Sequence, residues 1–113
     1  MYFPDAVEAL SALGNGRRLA VFRLLIKAGE GGMAAGAIAQ EVGVLPNTLS
    51  TQLAILSQAG LIDSRRDGRS IIYLANYDGM RDLLGFLVAD CCGGRPEICA
   101  PLTSIVQNSC SDA

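Results

Sequence analysis

Residues 43–74 read GVLPNTLSTQLAILSQAGLIDSRRDGRSIIYL, and two different apolar periods meet inside them. Leu49, Leu53 and Leu56 are spaced by four and three, and Ile55 widens the stripe, which predicts a helix with one buried face. Pro46 suits its first turn, where an N–H would have no partner anyway. Gly60 suits a left-handed stop, so the helix is expected over about Pro46 to Ala59. Beyond it the period changes. Leu61-Ile62-Asp63-Ser64-Arg65-Arg66 and Arg69-Ser70-Ile71-Ile72-Tyr73-Leu74 are β-prone runs flanking Asp67-Gly68, a strong hairpin signal.

The elements on either side follow from the same reasoning. A short helix is expected over about Ala35 to Val42, anchored by Ile38 and Val42, with Gly43 to Leu45 as the turn into the next helix. Residues 17–28 carry Leu19, Val21, Phe22, Leu24, Leu25 and Ile26. They predict a central core helix, capped by Asn15 and stopped by Gly29, Gly31 and Gly32. Residues 3–13 carry Phe3, Val7, Leu10 and Leu13 with Ala6 beside them, a one-sided apolar helix. Downstream, a helix is expected to start near Asp78 as its N-cap. Met80, Leu83, Leu84, Leu87 and Val88 make its wide stripe, Phe86 adds to it, and Cys91 and Cys92 extend it to Gly93-Gly94. The predicted fold is mainly α with a β-hairpin wing, in the order α-α-α-α-β-β-α: a winged helix-turn-helix.

A chain of 113 residues fits one domain, and a domain this small gains stability from dimerisation. No apolar run reaches 18 residues, and Met1 to Asp5 lack a secretory start, so the expected compartment is the cytoplasm and no membrane partner is expected. The net charge of −2 is unevenly spread. Residues 14–74 hold Arg17, Arg18, Arg23, Lys27, Arg65, Arg66 and Arg69 against Glu30, Glu41, Asp63 and Asp67, a local excess of three positive charges. The two ends are acidic. A basic middle between acidic ends can face nucleic acid with the middle alone.

The outward face of the 46–59 helix carries Asn47, Thr48, Ser50, Thr51, Gln52 and Gln58, none of them charged. Short hydroxyl and amide side chains reach base edges in the major groove, Gln and Asn pairing with adenine. Arg65, Arg66 and Arg69 at the hairpin, with Arg17 and Arg18 at a helix start, can meet phosphates or the minor groove. These residues are the candidate surface for double-stranded operator DNA. An enzyme is not expected: there is no histidine base and no phosphate-binding loop.

With Leu13-Gly14-Asn15-Gly16-Arg17-Arg18-Leu19, Asn47-Thr48-Leu49-Ser50-Thr51-Gln52-Leu53, Ala59-Gly60-Leu61-Ile62 and the hairpin from Arg65 to Tyr73, the chain resembles the ArsR/SmtB family of metal-responsive winged-helix repressors over about residues 5–92. The resemblance implies a homodimer through the first and last helices, and an operator released when an inducer binds. It divides the chain into a DNA-binding and dimerisation domain, 1–92, and a Cys-containing loop or tail, 93–113. Gln52 stands where many members have histidine.

The four cysteines, Cys91, Cys92, Cys99 and Cys110, all lie after residue 90, and clustered cysteines in a reducing compartment point to metal binding or redox sensing. The family's arsenic box on the first helix of the helix-turn-helix is absent, since Met33 to Gln40 hold no cysteine. Its histidine-dependent zinc site is absent as well. Cys91, Cys92 and Cys99 resemble the arsenic-responsive members with a vicinal pair and a third cysteine just after the last helix, with Cys110 as a further candidate. As(III) and Sb(III) are soft and take three thiolates, and adjacent cysteines make a strained mutual disulfide while their sulfurs can converge on one large ion. Arg95 favours the thiolate forms, whereas a helix C-terminus disfavours them. Two alternatives stay open: a divalent soft metal such as Cd, Pb or Zn, with Asp90 or Glu97 as a fourth ligand, and a thiol redox switch.

Overall fold

The computed structural model describes residues 2–88. Its elements run α1 (Phe3–Leu13), α2 (Gly16–Ala28), a single 3-10 turn (Gly29–Gly31), β1 (Met33–Ala34), α3 (Ala35–Val42), α4 (Pro46–Gln58), β2 (Ile62–Asp67), β3 (Ser70–Ala75) and α5 (Tyr77–Val88). This is the predicted winged helix-turn-helix order. The cysteines at 91, 92, 99 and 110, and the expected 92/93 domain boundary, lie outside the described residues.

The core is built from one face of each helix. Val21 and Leu25 of α2, Ile38 of α3, and Leu49, Leu53 and Leu56 of α4 are buried together with Leu61 and Ile62 at the start of the wing. Each such side chain contributes about 1.5–3 kcal/mol by leaving water. Asn15 caps α2 as expected, its Oδ1 accepting from the Arg17 and Arg18 amides at 3.0 and 3.2 Å.

The sheet differs from the expected hairpin in two ways. A two-residue strand, β1, pairs antiparallel with β3 through Met33↔Tyr73 and Ala34↔Ile72, giving the order β1-β3-β2. Two residues are too short to show any period, so the sequence carried no sign of it. The turn also falls one residue later than expected. Asp67 pairs with Ser70, so Gly68 and Arg69 are the central residues. Gly68 takes the positive φ of 63° at the first central position, where other residues are strained. The shift places Arg66 opposite Ile71, and Arg65 opposite Ile72 on the other face of the ribbon.

The start of α5 also needs correcting. Asn76, not Asp78, is the cap: its Oδ1 accepts from the Gly79 amide at 2.9 Å, and its carbonyl accepts from Met80. Asp78 lies in the first helical turn, exposed, 3.5 Å from Arg81. An amide oxygen at residue 76 reaches the third following N–H as a carboxylate at 78 would have done two residues later, so the pattern alone did not separate them.

Helix α1 buries its small face. Ala6, Ala9 and Ala12 are at most 3% exposed, while Phe3, Val7 and Leu10 are 69%, 50% and 44% exposed. On α5, Leu83 is buried and Leu84, Leu87 and Val88 stand out. The two helices touch, the Phe3 and Phe86 rings meeting edge to face with centroids 6.1 Å apart.

A close approach joins α5 to the end of α4. A Cβ on Gly79 would collide with the Gly60 carbonyl oxygen, whereas one on Gly36 of α3 would meet nothing. Gly79→Ala is therefore expected to lower unfolding stability by about 1–3 kcal/mol, and Gly36→Ala to raise it by about 0.5–1 kcal/mol. Urea unfolding at fixed protein concentration measures both.

Candidate nucleic-acid interface

Helix α4 presents its polar side because its leucines are committed to the core. Leu49, Leu53 and Leu56 face inward, and Asn47, Ser50 and Thr51 are exposed, with Thr48 half-buried beside them. The hydroxyls are already partly engaged: Ser50 donates to the Pro46 carbonyl at 3.1 Å and Thr51 to that of Asn47 at 3.4 Å. Their lone pairs remain available as acceptors. Gln58 is exposed at the far end of the helix, against the first turns of α1 and α5.

The basic residues fall into two groups. Arg66 and Arg69 are exposed at the wing tip, and Arg17 is exposed at the start of α2. Their guanidinium groups make no hydrogen bond or ion pair among the described residues. Arg65 is exposed but anchored. Its Nη1 donates to the Glu30 carbonyl at 3.3 Å and its Nη2 to that of Gly31 at 3.2 Å, which ties the wing to the 3-10 turn. Arg18 is half-buried and held more firmly. Its Nε donates to the Ala12 carbonyl at 2.6 Å and its Nη2 to that of Ser11 at 3.4 Å, while Nη1 donates to Gln52 Oε1 at 3.0 Å. The last carbonyls of α1 have no partner within the helix, and a cation placed on them satisfies both their hydrogen bonding and the helix dipole.

Gln52 is thus bonded within the protein, half-buried, while Asn47, Thr48, Ser50 and Thr51 form the open part of the face. This division was not legible in the sequence, because Arg18 and Gln52 are 34 residues apart. The nearest signal was the adjacency of Arg17 and Arg18 at a helix start, where only one of two neighbours can face inward.

Among the described residues no group of three or more His, Cys, Asp or Glu is placed to hold a metal ion, and no helix is long and apolar enough to cross a membrane. A groove between α1, α4 and α5 is lined by Asp5, Glu8, Asp78 and Asp82, while Asp63 and Asp67 stand exposed on the wing strand β2.

A family model described as a helix-turn-helix domain matches residues 13–65. The chain is 37% identical over 82 residues to the nodulation protein NolR of Rhizobium meliloti, an alignment spanning 73% of this chain and 65% of that protein's length. Among solved structures it resembles the homodimeric winged helix-turn-helix DNA-binding domain of a possible ArsR-family transcriptional regulator from Mycobacterium bovis. That match has 35% identity and a TM-score of 0.63, covering 77% of this chain and 80% of that one. NolR of Sinorhizobium fredii gives 35% identity and a TM-score of 0.62 over 75% and 82% of the two chains.

The two neighbouring arginines are expected to separate in a stability measurement. Arg18→Ala should cost about 1–3 kcal/mol, since it leaves the Ala12 carbonyl without a partner, the Ser11 carbonyl keeping the Gly14 amide. Arg17→Ala should stay within about 0.5 kcal/mol of the parent, as a surface change does. Thermal melts followed by circular dichroism read both.

Proposed function

The chain belongs to the ArsR family of winged helix-turn-helix transcriptional regulators, and from that premise we propose that it is a homodimeric repressor that leaves its operator when As(III) or Sb(III) binds Cys91, Cys92 and Cys99. The observation that carries the dimer is the pair of exposed apolar stripes, Phe3, Val7 and Leu10 on α1 and Leu84, Leu87 and Val88 on α5. Soluble chains rarely leave large apolar side chains grouped on one face unless a partner covers them. A second copy does so, and the M. bovis relative is described as homodimeric.

In the dimer, two α4 helices enter successive major grooves about 34 Å apart. Asn47, Thr48, Ser50 and Thr51 meet base edges, Arg66 and Arg69 reach phosphate or the minor groove from the wing, and Arg17 meets the backbone. Arg65 contributes by holding the wing in place and by its charge.

The donor set supports the inducer. Three thiolates with no histidine in the chain suit a soft, three-coordinate ion. Val88 ends the described part of α5 on its exposed stripe, and Cys91 and Cys92 follow in the sequence. Drawing Cys99 toward that pair changes the end of a dimer helix, and a shift of a few ångströms in protomer packing misaligns the two reading helices. Couplings of this kind are worth about 1–3 kcal/mol, or about 5- to 150-fold in affinity.

Fluorescence anisotropy of a labelled fragment from upstream of the gene tests the reading. Reduced wild-type protein is expected to bind, As(III) or Sb(III) to weaken binding by about 5- to 150-fold, and Cys91→Ser to abolish that response while still binding DNA. Release only by Cd(II), Pb(II) or Zn(II) transfers the inducer to that ion. Release by peroxide without metalloid makes the cysteines a redox switch, and no binding to any fragment refutes the repressor.

The dimer face has its own test. Leu87→Glu places a charge on the exposed α5 stripe and is expected to yield monomers by sedimentation, with folded far-ultraviolet dichroism and loss of operator binding of about 100-fold or more. A Leu87→Glu protein that remains dimeric would place the interface elsewhere.

A further inference from the structure

Gln52 enters this surface with its amide already oriented. A guanidinium has donors and no acceptor, so the atom of Gln52 that faces Arg18 must be the carbonyl oxygen. Turning the amide over would set two donors face to face and forfeit a charge-assisted hydrogen bond. Arg18 cannot swing away freely either, because its Nε is held on the Ala12 carbonyl at 2.6 Å and its Nη2 faces that of Ser11. The remaining group, the Gln52 NH2, donates to no acceptor among the described residues. Thr48 and Gln52 are four residues apart on α4, so they lie on one side of the helix.

We infer that Arg18 is a positioning residue that turns Gln52 into a hydrogen-bond donor toward DNA, so that Gln52 selects bases carrying a major-groove keto oxygen. This rests on the operator-binding reading above. Guanine O6 and thymine O4 accept a donor, whereas adenine N6 and cytosine N4 present donors of their own, so that adenine has only N7 to accept, beside its amino group, and cytosine nothing. A glutamine free to use both ends pairs with adenine through one acceptor and one donor. With its oxygen turned to Arg18, Gln52 cannot set oxygen and NH2 side by side against adenine N6 and N7, and its NH2 favours bases whose keto oxygen accepts it. The expectation from composition, that Gln52 favours adenine, is thereby reversed by a residue on another helix.

The test starts from an operator selected by the wild-type chain from a pool of randomised duplexes. Each base pair is then replaced by the three others, and Kd is measured by anisotropy. One position per half-site is expected where guanine or thymine binds about tenfold tighter than adenine or cytosine, a typical size for one base contact. Gln52→Ala should flatten that position and no other. Arg18→Met, which has similar length and no donor, should bring adenine there to within about twofold of guanine while the other positions keep their profile. A purely structural role for Arg18 would weaken all duplexes alike.

If Arg18→Met melts below the assay temperature, Gln52→Glu replaces it. A carboxylate has acceptors only and stays paired with Arg18, so it should invert that position toward adenine or cytosine. The inference is overturned if the Gln52-dependent position prefers adenine in the wild type, or if Gln52→Ala acts uniformly. It also falls if Arg18→Met leaves the profile unchanged, or Gln52→Glu leaves the keto preference in place. A wild-type chain that selects no duplex refutes the operator-binding reading together with this one. A chain that selects an operator lacking any Gln52-dependent position refutes this one alone.

Discussion

The direction in which α4 faces is set by the burial of Leu49, Leu53 and Leu56 against Val21, Leu25 and Ile38. These side chains are at most 2% exposed, and rotating the helix by one residue would lift about 100° of apolar surface into water. Everything on the opposite side follows from that seam. Asn47, Ser50 and Thr51 are outward because the leucines are inward, and the wing is anchored by Leu61 and Ile62, which belong to the same core. The proposed reading surface is thus a by-product of packing, built on a helix whose other face is fixed in the core.

Charge is distributed by a second rule, that unpartnered backbone carbonyls attract the nearest long cation. Arg18 serves the end of α1 and Arg65 serves the turn at Glu30 and Gly31. Both arginines act inside the protein, one on the helix-turn-helix side and one on the wing. Of the arginines proposed to meet DNA, those left for an external anion are Arg17, Arg66 and Arg69, at the start of α2 and the tip of the hairpin. The acidic residues Asp5, Glu8, Asp78 and Asp82 gather at a groove formed by α1, α4 and α5. In a chain of net charge −2 the segregation is partial, since Asp63 and Asp67 share the wing with Arg65 and Arg66, and the arrangement of charge, not its total, decides what the proposed DNA face presents.

Helix α1 shows how one sequence pattern can serve two surfaces. Its small face, Ala6, Ala9 and Ala12, lets the backbone come close to α2 and α4, and its large face, Phe3, Val7 and Leu10, is left over. Period alone reads both faces as one apolar stripe. Only the distance between helices decides which part goes inside, because a site that accepts alanine has no room for phenylalanine. The same division on α5, with Leu83 inside and Leu84, Leu87 and Val88 outside, supplies the surface on which the proposed dimer depends.

The sequence by itself determined the element order, the helix caps at Asn15 and Gly60, the inward leucines of α4 and the outward Asn47, Thr48, Ser50 and Thr51. These are local quantities, fixed by spacing, by capping chemistry and by the change of period at Gly60. It missed the strand Met33–Ala34, the turn centred on Gly68 and Arg69, and the cap at Asn76. The turn and the cap are choices between neighbouring residues of equal local merit, settled by pairing register and by the bond from the Gly79 amide to Asn76, and the strand is too short to show a period. The tertiary structure alone decided which arginines remain open and which end of Gln52 is bonded to Arg18. Those depend on groups far apart in the chain, Arg18 meeting Gln52 at 3.0 Å and Arg65 meeting the Glu30 carbonyl at 3.3 Å, and hydrogen bonding at that range is a property of the folded surface that no periodicity along the chain encodes.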